Sequence, residues 1–214
     1  MKIVKAFTLL ASLAVLAPAT ASAQTPPANT GAPGNVNGLF QDALWQVSTN
    51  GGATWGQALQ VQGPPGVWQT SAVASWISAS STGSGGSGDY YFRTSFDLTG
   101  YNASTAVMTF QCAIDNYATN TSFYSLNGGS YGGSCGSTLN GYQYAGVNTV
   151  NSGFVGGIND LTFHFVGDGT TDGLIVGDMT LSARAVTATP EPASMVLLAT
   201  GLVGVFGVAR RRRA

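Results

Sequence analysis

The chain has 214 residues and a formal net charge of −1, and only 8% of its residues are charged, a length that suits one folded domain with targeting segments at its ends. The near-neutral total hides an asymmetry. Lys2, Lys5, Arg210, Arg211, Arg212 and Arg213 lie at the two extremities, leaving residues 24–187 with Arg93 and Arg184 against eight aspartates, a formal charge of −6 with no lysine. That balance gives the middle of the chain no means of gripping phosphates and excludes nucleic-acid binding.

Residues 1–23 open with Lys2 and Lys5, continue through an apolar run at 6–17, and close on Ala21-Ser22-Ala23. Basic, apolar and small residues in that order predict a secretory signal helix, cut by signal peptidase between Ala23 and Gln24. The competing reading, a permanent membrane anchor, fits poorly with a run this short that stops at Pro18. Residues 24–37, rich in Pro, Gly and Asn, predict a flexible leader.

Between 38 and 187, Gly, Ser, Thr and Asn dominate and the hydrophobic signal has period two. Short strands are predicted at 45–48, 58–62 and 75–78, followed by a surface loop at 80–88. Phe92, Thr94, Phe96 and Leu98 then alternate with Arg93, Ser95 and Asp97, and a further strand covers 107–114. Short segments at 123–126, 142–144 and 153–155 precede two more alternating runs. In one, Leu161, Phe163 and Phe165 alternate with Thr162, His164 and Val166; in the other, Met179, Leu181 and Ala183 share a face. Asn50-Gly51, Asn127-Gly128 and Asn140-Gly141 supply turns. The expectation is an all-β domain at 38–187, an antiparallel β-sandwich of the jelly-roll kind. Trp45, Trp76, Phe92, Phe96, Phe110, Phe163 and Phe165 form its predicted core.

The two cysteines of the chain, Cys112 and Cys135, both fall in the exported part. An even pair in an oxidising compartment predicts a disulfide. The other reading is a buried thiol at Cys112, because Ala106, Met108, Phe110, Cys112 and Ile114 share one strand face.

His164 is the sole histidine and sits between Phe163 and Phe165, a structural or surface position. No G-x-S-x-G occurs to hold a serine nucleophile, and zinc would ask for more His or Cys ligands than the chain has. The only glutamate, Glu191, lies in the tail, so a glycosidase pair would have to come from two aspartates. A structural calcium suits the residue types better. Asp168 and Asp172 flank a Gly-Thr-Thr loop, and Asp115-Asn116 is a second oxygen-rich pair; no other cofactor is expected. For a sugar, Trp55, Trp68, Tyr117, Tyr131, Tyr142 and Tyr144 lie in or near predicted loops, where rings can stack on pyranose faces. Alternatively, they cover the rim of the core.

The carboxyl end has three parts in series. Pro190-Glu191-Pro192 is stiff, residues 193–209 are uncharged and mostly apolar, and Arg210, Arg211, Arg212 and Arg213 form a basic block. This predicts a single transmembrane helix at 193–209, a basic cytoplasmic end at 210–214, and the domain outside.

The combination at 188–214 resembles the PEP-CTERM sorting signal of exported Gram-negative proteins. The resemblance implies that exosortase, a membrane cysteine protease, processes the tail near Pro190, Glu191 and Pro192, in bacteria that often make exopolysaccharide. The middle looks like a domain that recurs in such proteins and is similar to galactose-binding jelly rolls. The segments carrying that likeness are WQVSTNGGATW at 45–55, YFRTSFDL at 91–98, SLNG at 125–128 after Asp115-Asn116, and GINDLTF at 157–163 ahead of GLIVGD at 173–178. The implied protein is an inner-membrane-anchored precursor destined for the cell surface or extracellular matrix, non-enzymatic and associated with exopolysaccharide. The alternatives are a secreted carbohydrate-active hydrolase and a structural surface protein without a ligand.

Overall fold

The computed structural model describes residues 27–115, 123–136 and 142–186, together with 200, 201, 210 and 211. The predictions at Ala23, Gln24, Tyr117, Pro190, Glu191, Pro192, Arg212 and Arg213 lie outside the described residues, as do the signal segment and all but two residues of the predicted membrane span. Among the described residues no helix is long and apolar enough to cross a membrane.

Among the described residues nine strands follow in order: β1 (Gln41–Ser48), β2 (Gly56–Gln60), β3 (Ile77–Ser78), β4 (Ser87–Asp97), β5 (Tyr101–Asp115), β6 (Phe123–Leu126), β7 (Asn148–Val150), β8 (Ile158–Asp168) and β9 (Gly173–Ala185). The alternation that marks β4 in the sequence has its physical counterpart. Tyr90, Phe92, Thr94 and Phe96 are buried, while Asp89, Tyr91, Arg93, Ser95 and Asp97 face outward. β4 lies beside β8 along its whole length, from Ser87 opposite Asp168 to Asp97 opposite Ile158.

All pairings are antiparallel, and the strand order is β6-β8-β4-β1-β2-β3-β9-β5-β7. The expected all-β antiparallel class therefore holds, as one curled antiparallel sheet. The short strands β2 and β3 bridge the halves, so the ladder is continuous and the sheet curls over its own inner face. Phe110 of β5 meets Phe163 of β8 edge-on at 5.5 Å, and Phe163 meets Trp45 of β1 at 5.8 Å. The seven predicted core aromatics are all buried. The segments at 142–144 and 153–155 are not strands, whereas Asn148–Val150, which carries no clear alternation, pairs with β5.

A second apolar cluster occupies the opposite face of β5 and β9. Ala113 and Ile175 point away from the main core and are covered by Val61, Trp68, Ala74 and Trp76. Gly173 permits this: a Cβ there would come within 3.1 Å of both Trp68 and Trp76.

Residues 27–37 correct the flexible-leader expectation. Thr30 is fully buried, its N–H donates to the Val176 carbonyl (3.0 Å), and its carbonyl accepts from Ser75 N–H (2.7 Å). Its hydroxyl donates to the Ser75 carbonyl (2.7 Å) and accepts from Val176 N–H (3.0 Å). Trp45 Nε1 donates to the Ala28 carbonyl, Met179 N–H to Asn29 Oδ1, and Gly31 N–H to the buried carboxylate of Asp42. Composition misleads here because Pro and Gly are as compatible with a fixed irregular strap as with a loose one. The polar groups of Thr30 and Asn29 find partners in β9 that no local sequence rule reveals.

Candidate functional site

A disulfide joins Cys112 of β5 to Cys135, across 23 positions of chain. Both cysteines are buried in the main cluster, so the bridge fixes the segment after β6 onto the central strands.

The two aspartates proposed for calcium have different surroundings. Asp168 is exposed and closes its own turn, accepting from Thr170 N–H (2.8 Å) and the Thr170 hydroxyl (2.7 Å). Asp172 is fully buried, beside Tyr90. Gly167 makes that possible, because a Cβ there would stand 2.7 Å from Asp172 Oδ1. The Tyr90 hydroxyl donates to the Gly86 carbonyl (2.7 Å), and burial followed by the Asp172 charge pushes its pKa up to about 12. Asp115 accepts from Trp68 Nε1 (2.7 Å). Burial holds its carboxyl above the ordinary carboxylate value, the Trp68 bond opposes that, and the Asp168 charge adds to it. Among the described residues no group of three or more His, Cys, Asp or Glu side chains is placed to hold a metal ion.

The predicted sugar-stacking aromatics divide in the same way. Trp68 is only 3% exposed and packs on Trp76 with centroids 4.1 Å apart, so it is a core residue and not a platform. Tyr142 and Tyr144 are half-buried around the same cluster. The Tyr144 hydroxyl nestles over Gly177, and burial pushes its pKa up to about 12.

Trp55 and Tyr131 are different, because they border the outward face of β1, β4 and β8. The Arg93 guanidinium lies 4.1 Å from the Trp55 ring centroid and donates from Nη2 to Gln46 Oε1 (2.6 Å). Next along β4, Tyr91 stacks on His164 at 4.4 Å, as the register that sets Tyr91 opposite His164 requires. His164 Nε2 is paired with Asp89 Oδ1 at 2.7 Å, and the Tyr131 ring meets the imidazole edge-on at 5.9 Å. The result is a solvent-facing strip of Trp55, Arg93, Tyr91, His164, Asp89 and Tyr131. Sequence reasoning located Trp55 and Tyr131, took His164 as structural or surface, and missed Tyr91 and Arg93. The alternation of β4 identifies its outward residues, but their juxtaposition depends on a register between strands about 70 positions apart, which the sequence does not display.

The chain is thus an all-β domain joined to a short apolar and basic tail. Residues 188–213 match the PEP-CTERM protein-sorting motif. That motif marks an exported, membrane-anchored precursor of Gram-negative bacteria that exosortase sorts. No curated protein and no solved structure matches the chain.

Proposed function

We propose that the mature domain is a non-enzymatic component of the cell surface or extracellular matrix that associates with exopolysaccharide through the outward strip on β1, β4 and β8. In this reading, signal peptidase removes 1–23, residues 193–209 hold the precursor in the inner membrane, and exosortase acts near Pro190, Glu191 and Pro192. The observation that carries the sugar reading is the strip itself. Trp55, Tyr91 and Tyr131 border Arg93, Gln46, His164 and Asp89, which combines apolar ring surface with hydrogen-bonding groups on a face the core does not need. Stacking supplies contact area, and the polar neighbours select hydroxyl geometry. No cofactor is required.

The test is retention of the protein, recovered from its host, on the host's own exopolysaccharide, with calcium and with chelator. Wild type is retained, and Trp55→Ala with Tyr91→Ala loses retention while keeping its unfolding temperature. Absence of retention under both conditions leaves the structural, ligand-free protein as the correct reading. Turnover of the polysaccharide, abolished by one aspartate substitution, would establish the hydrolase instead.

A further inference from the structure

Arg93 is one of two arginines set against eight aspartates in residues 24–187, yet no carboxylate among the described residues pairs with it. Its partners are neutral. The guanidinium lies over the Trp55 ring at 4.1 Å, and Nε and Nη2 both donate to Gln46 Oε1, at 3.2 and 2.6 Å. The register sets Gln46 of β1 and Thr162 of β8 on either side of Arg93, so no acid stands directly opposite it. A cation held by an amide and a ring keeps its charge available to an incoming anion.

The hydrogen bonds leave a defined part of the guanidinium unused. Of its N–H groups, Gln46 takes the one on Nε and the one beside it on Nη2. The other Nη2–H and the Nη1–H parallel to it form the end of the fork. Two parallel donors match the two oxygens of a carboxylate. Tyr91 lies two residues along β4 on the same outward face, about 7 Å away along the strand, and offers a ring to a sugar that bears such a carboxylate.

The surroundings narrow the ligand. Asp89 and Asp160 share this outward face, the first paired with His164 and the second accepting from the Ser95 hydroxyl. Val166, exposed opposite Asp89, adds apolar surface. A densely charged polyanion would meet the two carboxylates at close range, whereas a chain that spaces its carboxylates among neutral sugars would not. The overall charge of −6 on residues 24–187 acts weakly here, since charges beyond about 8 Å are screened at physiological ionic strength.

We propose that Arg93 is a carboxylate subsite within the strip, and that the exopolysaccharide it takes carries sparse acidic groups, either uronic acids or pyruvate ketals. The carboxylate sits end-on to Nη1 and Nη2, and the sugar that bears it rests against Tyr91. This rests on the reading of the strip as a sugar-binding face and names the chemistry that face selects.

The test measures the affinity of the full-length chain, in detergent, for the host's exopolysaccharide: untreated, freed of pyruvate ketals by mild acid, or with every carboxyl reduced to the alcohol. Wild type is expected to bind the untreated polymer about tenfold more tightly than the reduced one, as one charge-assisted contact supplies. Arg93→Gln should bind both at the reduced level. Arg93→Lys, which keeps the charge without the fork, should fall between, and both variants should keep the wild-type unfolding temperature. A preference lost after mild acid supports the subsite with ketals as its ligand; a preference that survives mild acid supports it with uronic acids. Equal affinity for untreated and reduced polymer, or a preference that Arg93→Gln retains, would overturn the carboxylate subsite and leave the sugar-binding face standing. Absence of binding to every form would remove the sugar reading itself, and the subsite with it.

Discussion

Replacing Thr30 by Val removes one hydroxyl and keeps the side chain's shape. In the native fold that hydroxyl donates to the Ser75 carbonyl and accepts from Val176 N–H, at 2.7 and 3.0 Å, at a fully buried site. Val offers neither interaction, so one buried donor and one buried acceptor lose a partner. At ~1–3 kcal/mol for each unsatisfied group, the expected loss is about 3 kcal/mol, a large share of the ~5–15 kcal/mol that holds a typical domain. For a domain of this size that corresponds to a fall of roughly 6–12 °C in Tm. Thr30→Ser is the control, because it keeps the hydroxyl and loses a methyl group, for about 1 kcal/mol. Urea unfolding followed by tryptophan emission reports both variants, Trp45 being bonded to Ala28 in the same strap. If Thr30→Val is as stable as Thr30→Ser, the strap contributes nothing to the fold and its description as a structural element is wrong.

The disulfide closes 23 positions of chain, so Cys112→Ala with Cys135→Ala should cost about 3 kcal/mol by the loop-entropy model, read as a lower denaturation midpoint; an unchanged midpoint would refute it. Asp42 and Asp115 both have carboxyls raised above the ordinary value of 3.8, chiefly by burial. The folded state holds these protons more tightly than the unfolded chain does. Their contribution therefore rises as pH falls from neutrality toward 3.8 and is lost as pH rises through their folded values. Thermal unfolding followed from pH 7 down to about 4 should show this slope in wild type and a flatter one in Asp42→Asn with Asp115→Asn; identical slopes would show that neither carboxyl contributes. Gly167→Ala places a Cβ 2.6 Å from Tyr90 and 2.7 Å from Asp172, an overpacking cost of about 1–3 kcal/mol. Gly66→Ala, with nothing within 4 Å, should leave the unfolding midpoint in place; equal effects from the two would contradict the packing around Asp172.

The sequence displays those parts of the fold that depend on one strand at a time. The inward faces of β4, β8 and the middle of β5 follow from period two, and the cysteine pair from its compartment. Contacts between distant segments are not displayed. The docking of Thr30 on Val176, the burial of Trp68 beneath its own loop, and the placing of Tyr91 on His164 all depend on register and on how the sheet curls. Trp68 shows the difficulty most clearly. A tryptophan preceded by two prolines, Gly66 and Val67 has the local signature of an exposed loop, yet it covers Ile175 and Ala113 on the outer face of β5 and β9. The tail is the reverse case, since its meaning lies in residue order alone and needs no fold to be read.

The position of β9 sets a timetable for maturation. It is the last of the described strands, yet it lies between β3 and β5 and holds Thr30 across 146 positions of sequence. A chain that crosses the membrane amino end first presents β1, β4 and the strap long before their keystone arrives. Contacts of such long range cannot form until nearly the whole domain has emerged. β9 ends at Ala185, only a few residues ahead of the sorting motif at 188–213. The closure of the sheet thus waits for the residues immediately ahead of the sorting motif.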